Sequence, residues 1–305
     1  MIETAATSAE TMTDALRRLV ATRADMRALL ARQAGSLPPR VFGMPSPGAE
    51  EFLEIYIGEA QLLLQLVRPL LKPGIRLLEV GGGLGIFHLM ASAEGADVVS
   101  IEPSGQGFSH FRAFGLAAIE ALTGHPERFV DARVEALPWP AESFDVIVSN
   151  NVLEHVERPR QALREMYRVA APGGRLLHHC PNYLVPYEPH YKVPVIPAAV
   201  GVSGTLIWRG FLRDPLWRSL NSINALGVAR AARSLRGARL TFRNAMQLTL
   251  NRLAGGEHLS KRHGMLARLA LVPAVRAVLT ALPPQIMTPM IFEIEKPKNR
   301  EENGC

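Results

Sequence analysis

The chain is predicted to fold as an α/β protein with a doubly wound, mostly parallel, seven-stranded sheet, and three observations predict it. A short apolar run from Ile75 to Val80 ends in Gly81-Gly82-Gly83-Leu84-Gly85 and passes at once into a helical pattern from Leu84 to about Glu94. A second apolar run, Asp97 to Ile101, ends in Glu102, about 20 residues beyond the glycines. Strand and helix patterns then alternate as far as Cys180. Such alternation gives a parallel sheet covered on both faces, with ligands at the carboxyl ends of the strands. The expected architecture is Rossmann-like, with N-terminal helices before the sheet and a helical, basic lid inserted before its last strands.

Taken in order, residues 8 to 33 form the first helix candidate. Met12, Leu16, Leu19, Met26 and Leu30 recur at three- and four-residue steps, interrupted by Arg23. Thr7 followed by Glu10 offers a capping box. Leu37-Pro38-Pro39 and Met44-Pro45-Ser46-Pro47-Gly48 read as a linker, and a second helix runs from about Ala49 to Leu70. Beyond Glu102 come a helix from about Gly105 to Leu122, a short strand near Arg128 to Ala132, and a turn at Leu137-Pro138-Trp139-Pro140. The fourth strand, Val146 to Ser149, runs into Asn150-Asn151-Val152-Leu153-Glu154-His155-Val156. A helix from Arg158 to Ala170 and Pro172-Gly173-Gly174 lead to the fifth strand, Arg175 to Cys180. Ala238 to Arg243 is the expected sixth strand, and Pro289 to Glu295 an antiparallel last strand at the sheet's edge.

Composition narrows the class. A chain of 305 residues with 48% hydrophobic residues can bury a substantial core. Cys180 and Cys305 make no disulfide framework, and a reducing, cytoplasmic setting is expected. Charged Asp14, Arg17 and Arg18 stand where a signal peptide needs an apolar stretch. The longest uncharged run, Val193 to Trp208, is too short and too interrupted by Pro194, Pro197, Gly201 and Gly204 to span a bilayer. A buried lid is the expected reading, with peripheral contact at the inner face of a membrane as the minority one.

The glycine turn carries the first chemical signal. Glycine gives a strand-to-helix turn its backbone freedom, and leaves no Cβ where a ligand lies against the main chain. The helix start offers unpaired N–H groups. Glu102 can accept hydrogen bonds from ribose hydroxyls. A dinucleotide G-x-G-x-x-G pattern counted from Gly81 wants glycine at position 86, where Ile86 stands. A nucleoside-bearing cofactor other than a dinucleotide is therefore favoured, the plain alternative being a glycine turn without a ligand.

The residues L-E-V-G-G-G-L-G (78 to 85), S-I-E-P-S (100 to 104), E-A-L-P-W-P-A-E-S-F-D-V-I-V-S-N-N-V-L-E-H-V (135 to 156) and A-L-R-E-M-Y-R-V-A-A-P-G-G-R-L-L (162 to 177) together resemble the class I S-adenosylmethionine-dependent methyltransferases. The likeness is to the small-molecule branch that includes quinone-biosynthesis enzymes, and it covers roughly residues 70 to 182. It implies S-adenosyl-L-methionine as cofactor. Glu79, Gly81, Gly83 and Gly85 would approach its methionine part and Glu102 its ribose. Backbone around Glu135, Ala136 and Leu137 would frame the adenine, and Asn150 would lie near the sulfonium. Arg133 stands where many relatives carry an Asp that binds the adenine amine. Arginine has no acceptor to offer, so that recognition passes to Glu135 or to backbone groups.

Methyl transfer from a sulfonium is an in-line displacement with a neutral leaving group, so alignment is the main demand. A hydroxyl acceptor adds the need for a base. His155 is the candidate for that role, the plain alternative being a histidine that shapes its loop. The loop after strand five, Pro181 to Tyr191, carries Tyr183, Tyr187, Glu188, His190 and Tyr191. Its tyrosines are candidates to wall an acceptor or face a cation, and Glu188 with His190 is a second candidate base. From Thr205 to His263 there are eleven Lys and Arg against Asp214 and Glu257, an excess of +9 in a chain whose net charge is +6. Arg230, Arg233 and Arg236 are spaced to share a helical face. An anionic acceptor or surface fits such a region, with a solvated face as the plain alternative. Nucleic acid is disfavoured, since no recognised module appears.

No metal site is expected. His178 and His179 alternate across a strand, and His258 and His263 lack partners at ligand spacing. The expected organisation is a helical extension over 1–72, a cofactor core over 73–182, an acceptor-side region over 183–287, a final strand over 288–297 and a disordered tail over 298–305. The expected reaction is methylation, at oxygen, of a small, sugar-linked or lipid-linked acceptor. Carbon methylation of an activated ring and a non-catalytic cofactor-binding role are the rivals.

Overall fold

A computed structural model describes residues 8–36, 47–105, 109–191, 193–206, 215–246, 248, 250 and 272–298. The strands are β1 (Arg76–Val80), β2 (Asp97–Ile101), β3 (Phe129–Val130), β4 (Phe144–Asn150), β5 (Ala170–Cys180), β6 (Arg239–Arg243) and β7 (Met290–Glu295). They form a seven-stranded sheet in the order β3-β2-β1-β4-β5-β7-β6. The strands from β3 to β5 are parallel, whereas β7 runs antiparallel to both β5 and β6. Chain order reverses direction at β1, between β2 and β4, which opens the crevice where such sheets bind ligands.

Alternation along the strands builds two cores. Leu77, Val98, Val148 and Leu177 face one layer, and Leu78, Val80, Ile147 and Leu176 the other. The first layer is made by α1 (Ala9–Thr22), α2 (Ala24–Ser36), α3 (Ala49–Val67), α4 (Ile86–Ala93) and α5 (Ser109–Thr123). The second includes α6 (Pro159–Val169), which buries Ala162, Leu163, Met166 and Val169 at helical spacing. Each such fully buried aliphatic side chain contributes roughly 1.5–3 kcal/mol.

Three expectations are corrected. The helix expected over 8–33 is two helices, because Arg23 is extended (φ −101°, ψ 106°) and closes a 2.6 Å ion pair with Asp25. The cap of α1 is Ser8, whose Oγ accepts the Thr11 N–H at 3.2 Å; Thr7 lies outside the described residues. The last strand is internal and β6 takes the edge. Met290 to Glu293 are buried in succession, as a strand flanked on both sides requires, whereas β6 is half-exposed.

Between β5 and β7 the described chain contributes α7 (Val200–Leu206), α8 (Pro215–Ser219), α9 (Ala225–Ala232), β6 and a helix at Pro273–Ala281. The face expected from Arg230, Arg233 and Arg236 does not form. Arg230 is in α9, Arg233 caps it, and Arg236 lies in the turn beyond. All three are exposed, as are Arg218 and Arg239. Arg209, Arg213, Arg252, Lys261, Arg262, His258 and His263 lie outside the described residues, as do 37–46 of the expected linker and 299–305 of the expected tail. No helix of the described residues is long and apolar enough to cross a membrane.

Candidate active site

The glycine turn has the conformation its sequence demands. Gly81, Gly83 and Gly85 take φ of 77°, 51° and 71°, the left-handed region that costs other residues energy. The N–H groups of Gly81 and Gly82 both reach the Ile101 carbonyl at 2.9 Å, tying the turn to the end of β2. A Cβ on Gly81 would stand 2.2 Å from Val152 Cγ2, so the loop after β4 packs directly on the turn. Gly115 of α5 approaches from the other side, where a Cβ would meet the Gly83 carbonyl oxygen at 2.7 Å. Position 115 is a site residue that the sequence reading missed; its signal was a glycine inside an otherwise apolar helix.

Glu102 follows β2 directly and accepts the Gly83 N–H at 2.9 Å. Burial pushes its carboxyl up to about 7. Glu79 is turned inward instead. It accepts the Ser100 hydroxyl at 2.5 Å, and Ser100 also meets His88 Nδ1 at 2.8 Å. Burial raises Glu79 to about 8. Tyr56 of α3 stacks on Phe52 and Phe111 at 4.7 and 5.2 Å, close enough to Glu102 to feel its charge.

The expected adenine side is already knitted together. Arg133 bridges Glu135 at 3.4 Å and Glu157 at 3.1 Å. The Ala136 N–H donates to the Arg133 carbonyl, the Leu137 N–H to Glu165, and the Glu135 carbonyl accepts from Gln161. Of the side chains at 135–137, Glu135 carries the polar one, and it is buried.

Along the same edge, β4 ends at Asn150, and Asn151 turns the chain through a left-handed φ of 52°, a conformation asparagine tolerates. Asn150 Oδ1 accepts from His179 Nδ1 at 2.6 Å, and its amide donates to the Glu59 carbonyl and carboxylate at 3.3 Å. Asn151 reaches the same carboxylate at 3.3 Å. Glu59 was missed although its signal was legible. It follows Phe52 and Tyr56 and precedes Leu63 on the helix stripe that buries α3, a carboxylate among apolar neighbours.

The turn Leu153–His155 and the loop after β5 then bring His155 and His190 together, their ring centroids 5.3 Å apart. Both Nε2 atoms face Glu154 Oε1, at 4.0 and 3.9 Å. Glu154 is fully buried, and neither carboxylate oxygen has a hydrogen-bond partner. Burial raises its carboxyl to about 7 and, with His190 alongside, lowers His155 to about 3. His190 is pulled down by burial, but its carboxylate neighbours outweigh that and leave it raised. Glu188 is a buried hub that accepts from Tyr183 Oη at 3.2 Å, His190 Nδ1 at 2.5 Å and the Tyr191 N–H at 2.6 Å.

Tyr183 and Tyr191 are buried in the second core, Tyr191 edge-on to Trp217 at 5.1 Å, while Tyr187 is half-buried. The segment joining α8 to α9 holds the 153–156 turn in place. Ser219 Oγ meets His155 Nδ1 at 2.8 Å, the Asn221 N–H donates to the Glu154 carbonyl, and the Asn221 amide donates to the Leu153 and Val156 carbonyls. Ser219 and Asn221 lie more than sixty positions from their partners, so no local pattern marks them.

This edge fits a nucleoside sulfonium cofactor on its own chemistry: a left-handed backbone cradle, a buried carboxylate hydrogen-bonded to that cradle, and a polar cluster beyond the neighbouring strand. Residues 78–178 match the family described as "Methyltransferase domain". Over that third of the chain the sequence is therefore similar to methyltransferase domains. Among relatives, the uncharacterized protein Rv1509 of Mycobacterium tuberculosis is 36% identical over 183 residues, spanning 58% of this chain and 61% of that protein. The uncharacterized methyltransferase Rv0224c of the same organism is 39% identical over 117 residues, 38% of this chain and 43% of that one. The chain thus matches about three fifths or less of the length of these relatives. The structure of a geranyl diphosphate methyltransferase in complex with SAM superposes with a TM-score of 0.52 at 17% identity, over 83% of this chain and 92% of that chain. The likeness is one of fold.

Proposed function

We propose that the chain transfers the methyl group of S-adenosylmethionine to a small-molecule acceptor, at a hydroxyl oxygen. The observation that carries this reading is the shared edge. The glycine cradle and Glu102 follow β1 and β2, Asn150 ends β4, and the Glu154–His155–His190 cluster follows β4 and β5, at the carboxyl ends of neighbouring parallel strands, so cofactor and acceptor groups would meet along that edge.

When bound, the cofactor supplies an electrophilic methyl group and a leaving group that needs no acid. The chain's own work is alignment and the acceptor's proton. Gly83 and Glu102 fix the cofactor end, and Asn150, itself held by His179 and Glu59, fixes the midpoint. His155, the base expected from the sequence, is held neutral with a low proton affinity, so it acts within the cluster rather than alone. Glu188 orients His190. Tyr187, Glu188 and the other described residues of 183–287 form the acceptor side, and exposed Arg218, Arg230 and Arg233 favour an acceptor bearing phosphate or another anionic group. Geranyl diphosphate, named with the solved relative, is one acceptor of that kind.

Calorimetric binding of S-adenosylhomocysteine and of NAD, followed by transfer of labelled methyl groups to hydroxylated acceptors with and without a phosphate, tests the reading. Selective binding of S-adenosylhomocysteine and label in a base-stable ether support it. Binding of neither ligand, or of NAD alone, overturns it. Carbon methylation of an activated ring is the second reading, favoured by the low proton affinity of His155, since such an acceptor needs no strong base. Label retained at carbon decides between them.

A further inference from the structure

The Glu154 carboxylate faces two imidazoles without a hydrogen bond to either. It is fully buried, with both oxygens lacking hydrogen-bond donors. An unpaired buried carboxylate is costly, and the polar atoms aimed at it are His155 Nε2 and His190 Nε2. The proton positions on those rings follow from their other nitrogens. Ser219 Oγ donates its proton to the Leu216 carbonyl at 2.7 Å, so it accepts from His155 Nδ1. That places a proton of the His155 ring on Nδ1, and its Nε2 faces Glu154. His190 Nδ1 faces Glu188, which already takes donors from Tyr183 and Tyr191 and acts as an acceptor. His190 therefore also carries a proton on Nδ1, and its Nε2 points at Glu154.

We propose that Glu154, His155 and His190 form a binding site for a divalent transition-metal cation, with two imidazole nitrogens and one carboxylate oxygen as ligands. The three ligand atoms lie within 4.8 Å of one another. Ligands about 2.0–2.2 Å from a common ion stand roughly 3–3.5 Å apart, so closure needs shifts of about half an ångström. Both histidines already have the supporting partner that metal-bound imidazoles use, Ser219 for one and Glu188 for the other. Two nitrogen donors favour Zn²⁺, Co²⁺ or Fe²⁺ over Mg²⁺, which prefers an all-oxygen shell. Three protein ligands leave positions open. An acceptor hydroxyl bound there would lose its proton more readily. Cation binding itself does not depend on the methyl-transfer reading.

The test uses the full chain without an affinity tag, freed of metal with a chelator and titrated with Co²⁺, Zn²⁺ and Mg²⁺ by calorimetry and visible absorption. The expected result is one equivalent of Co²⁺ with a d–d band, displaced by Zn²⁺, and Mg²⁺ bound at least a hundredfold more weakly. Glu154→Gln and His190→Ala should abolish the band while circular dichroism stays native, and Glu188→Gln should weaken binding 10–100-fold. If either ligand variant misfolds, the wild-type titration still decides. Wild-type protein that binds S-adenosylhomocysteine but no stoichiometric Co²⁺ or Zn²⁺ overturns the site, the charge of Glu154 then being met by a proton, and leaves the proposed reaction standing. Metal binding that survives His190→Ala with Glu154→Gln also overturns it. Metal binding without S-adenosylhomocysteine binding supports the site and sinks the proposed reaction.

Discussion

Replacing Glu102 by glutamine should move stability and cofactor binding in opposite directions. The carboxyl titrates at about 7 in the fold, against 4.5 unperturbed, because burial disfavours its charge. Below about pH 4.5 both the folded and unfolded states hold the proton, and no penalty exists. Between that value and 7 the folded state keeps a proton the unfolded state has released, so stability falls as pH rises. Above 7 the full penalty applies, about 3 kcal/mol at 1.36 kcal/mol per pH unit. Glutamine keeps the shape and an oxygen to accept the Gly83 N–H, now 2.9 Å from Glu102, without the charge. Glu102→Gln should therefore unfold with a free energy about 1–3 kcal/mol above wild type at pH 8.5 and close to it at pH 5. Ribose hydroxyls, however, bind a carboxylate more strongly than an amide. Charge-assisted bonds are worth about 1.5–3 kcal/mol against 0.5–1.5 for neutral ones, so S-adenosylhomocysteine should bind roughly 5–150-fold more weakly at pH 8.5. Wild-type affinity should also climb with pH through about 7, by up to tenfold per unit, and the slope should vanish in the variant. Urea melts at the two pH values and calorimetric titrations across them measure both effects. A variant less stable than wild type at pH 8.5, or one that binds as tightly, would refute the assignment of Glu102 as a buried ribose acceptor.

Other substitutions probe the remaining geometry. Gly81→Ala should lose most cofactor affinity and about 1–3 kcal/mol of stability, from the left-handed φ and the overlap with Val152. Adding Val152→Ala should recover the overlap but not the backbone cost, and a denaturation cycle giving full recovery would contradict this. Gly115→Ala should weaken S-adenosylhomocysteine binding at least tenfold by displacing the Gly83 carbonyl; unchanged affinity in calorimetry would show that α5 yields instead. Asn221→Ala strips donors from the Leu153 and Val156 carbonyls and should cost about 2–4 kcal/mol. Methyl transfer should fall in that variant while S-adenosylhomocysteine binding holds, since the turn it secures is on the acceptor side; an equal fall in both would place Asn221 elsewhere in the mechanism.

The parallel half of the sheet was legible because its signals are local. Apolar runs bounded by glycine or asparagine define β1, β2 and β4, and the turns that follow β1 and β4 take their left-handed conformations at Gly81, Gly83, Gly85 and Asn151. Where meaning is non-local, the sequence is silent. Nothing near Asn221 announces that it secures a turn more than sixty residues upstream. Glu293 misdirects for the same reason. A charged residue suggests an edge strand, yet this one is buried and paired across the ladder with Arg175 on β5 and Arg243 on β6. The cluster at Glu154 combines two histidines read separately from the sequence, each as a candidate base on its own loop. Only the fold puts His155 against His190.

The internal position of β7 has a consequence for the order in which the molecule can be assembled. β6 is joined to the sheet through β7, and β7 is synthesised after the other described strands. The parallel strands and α1 to α6 can therefore collapse before β6 has its place in the sheet, because non-local pairing must wait for its partner. Until Met290 to Glu295 insert, residues 239–243 have no neighbour to pair with, and Arg175 and Arg243 lack the carboxylate of Glu293 that joins them. The six residues of β7 thus join two strands, β5 and β6, that both precede them in the chain.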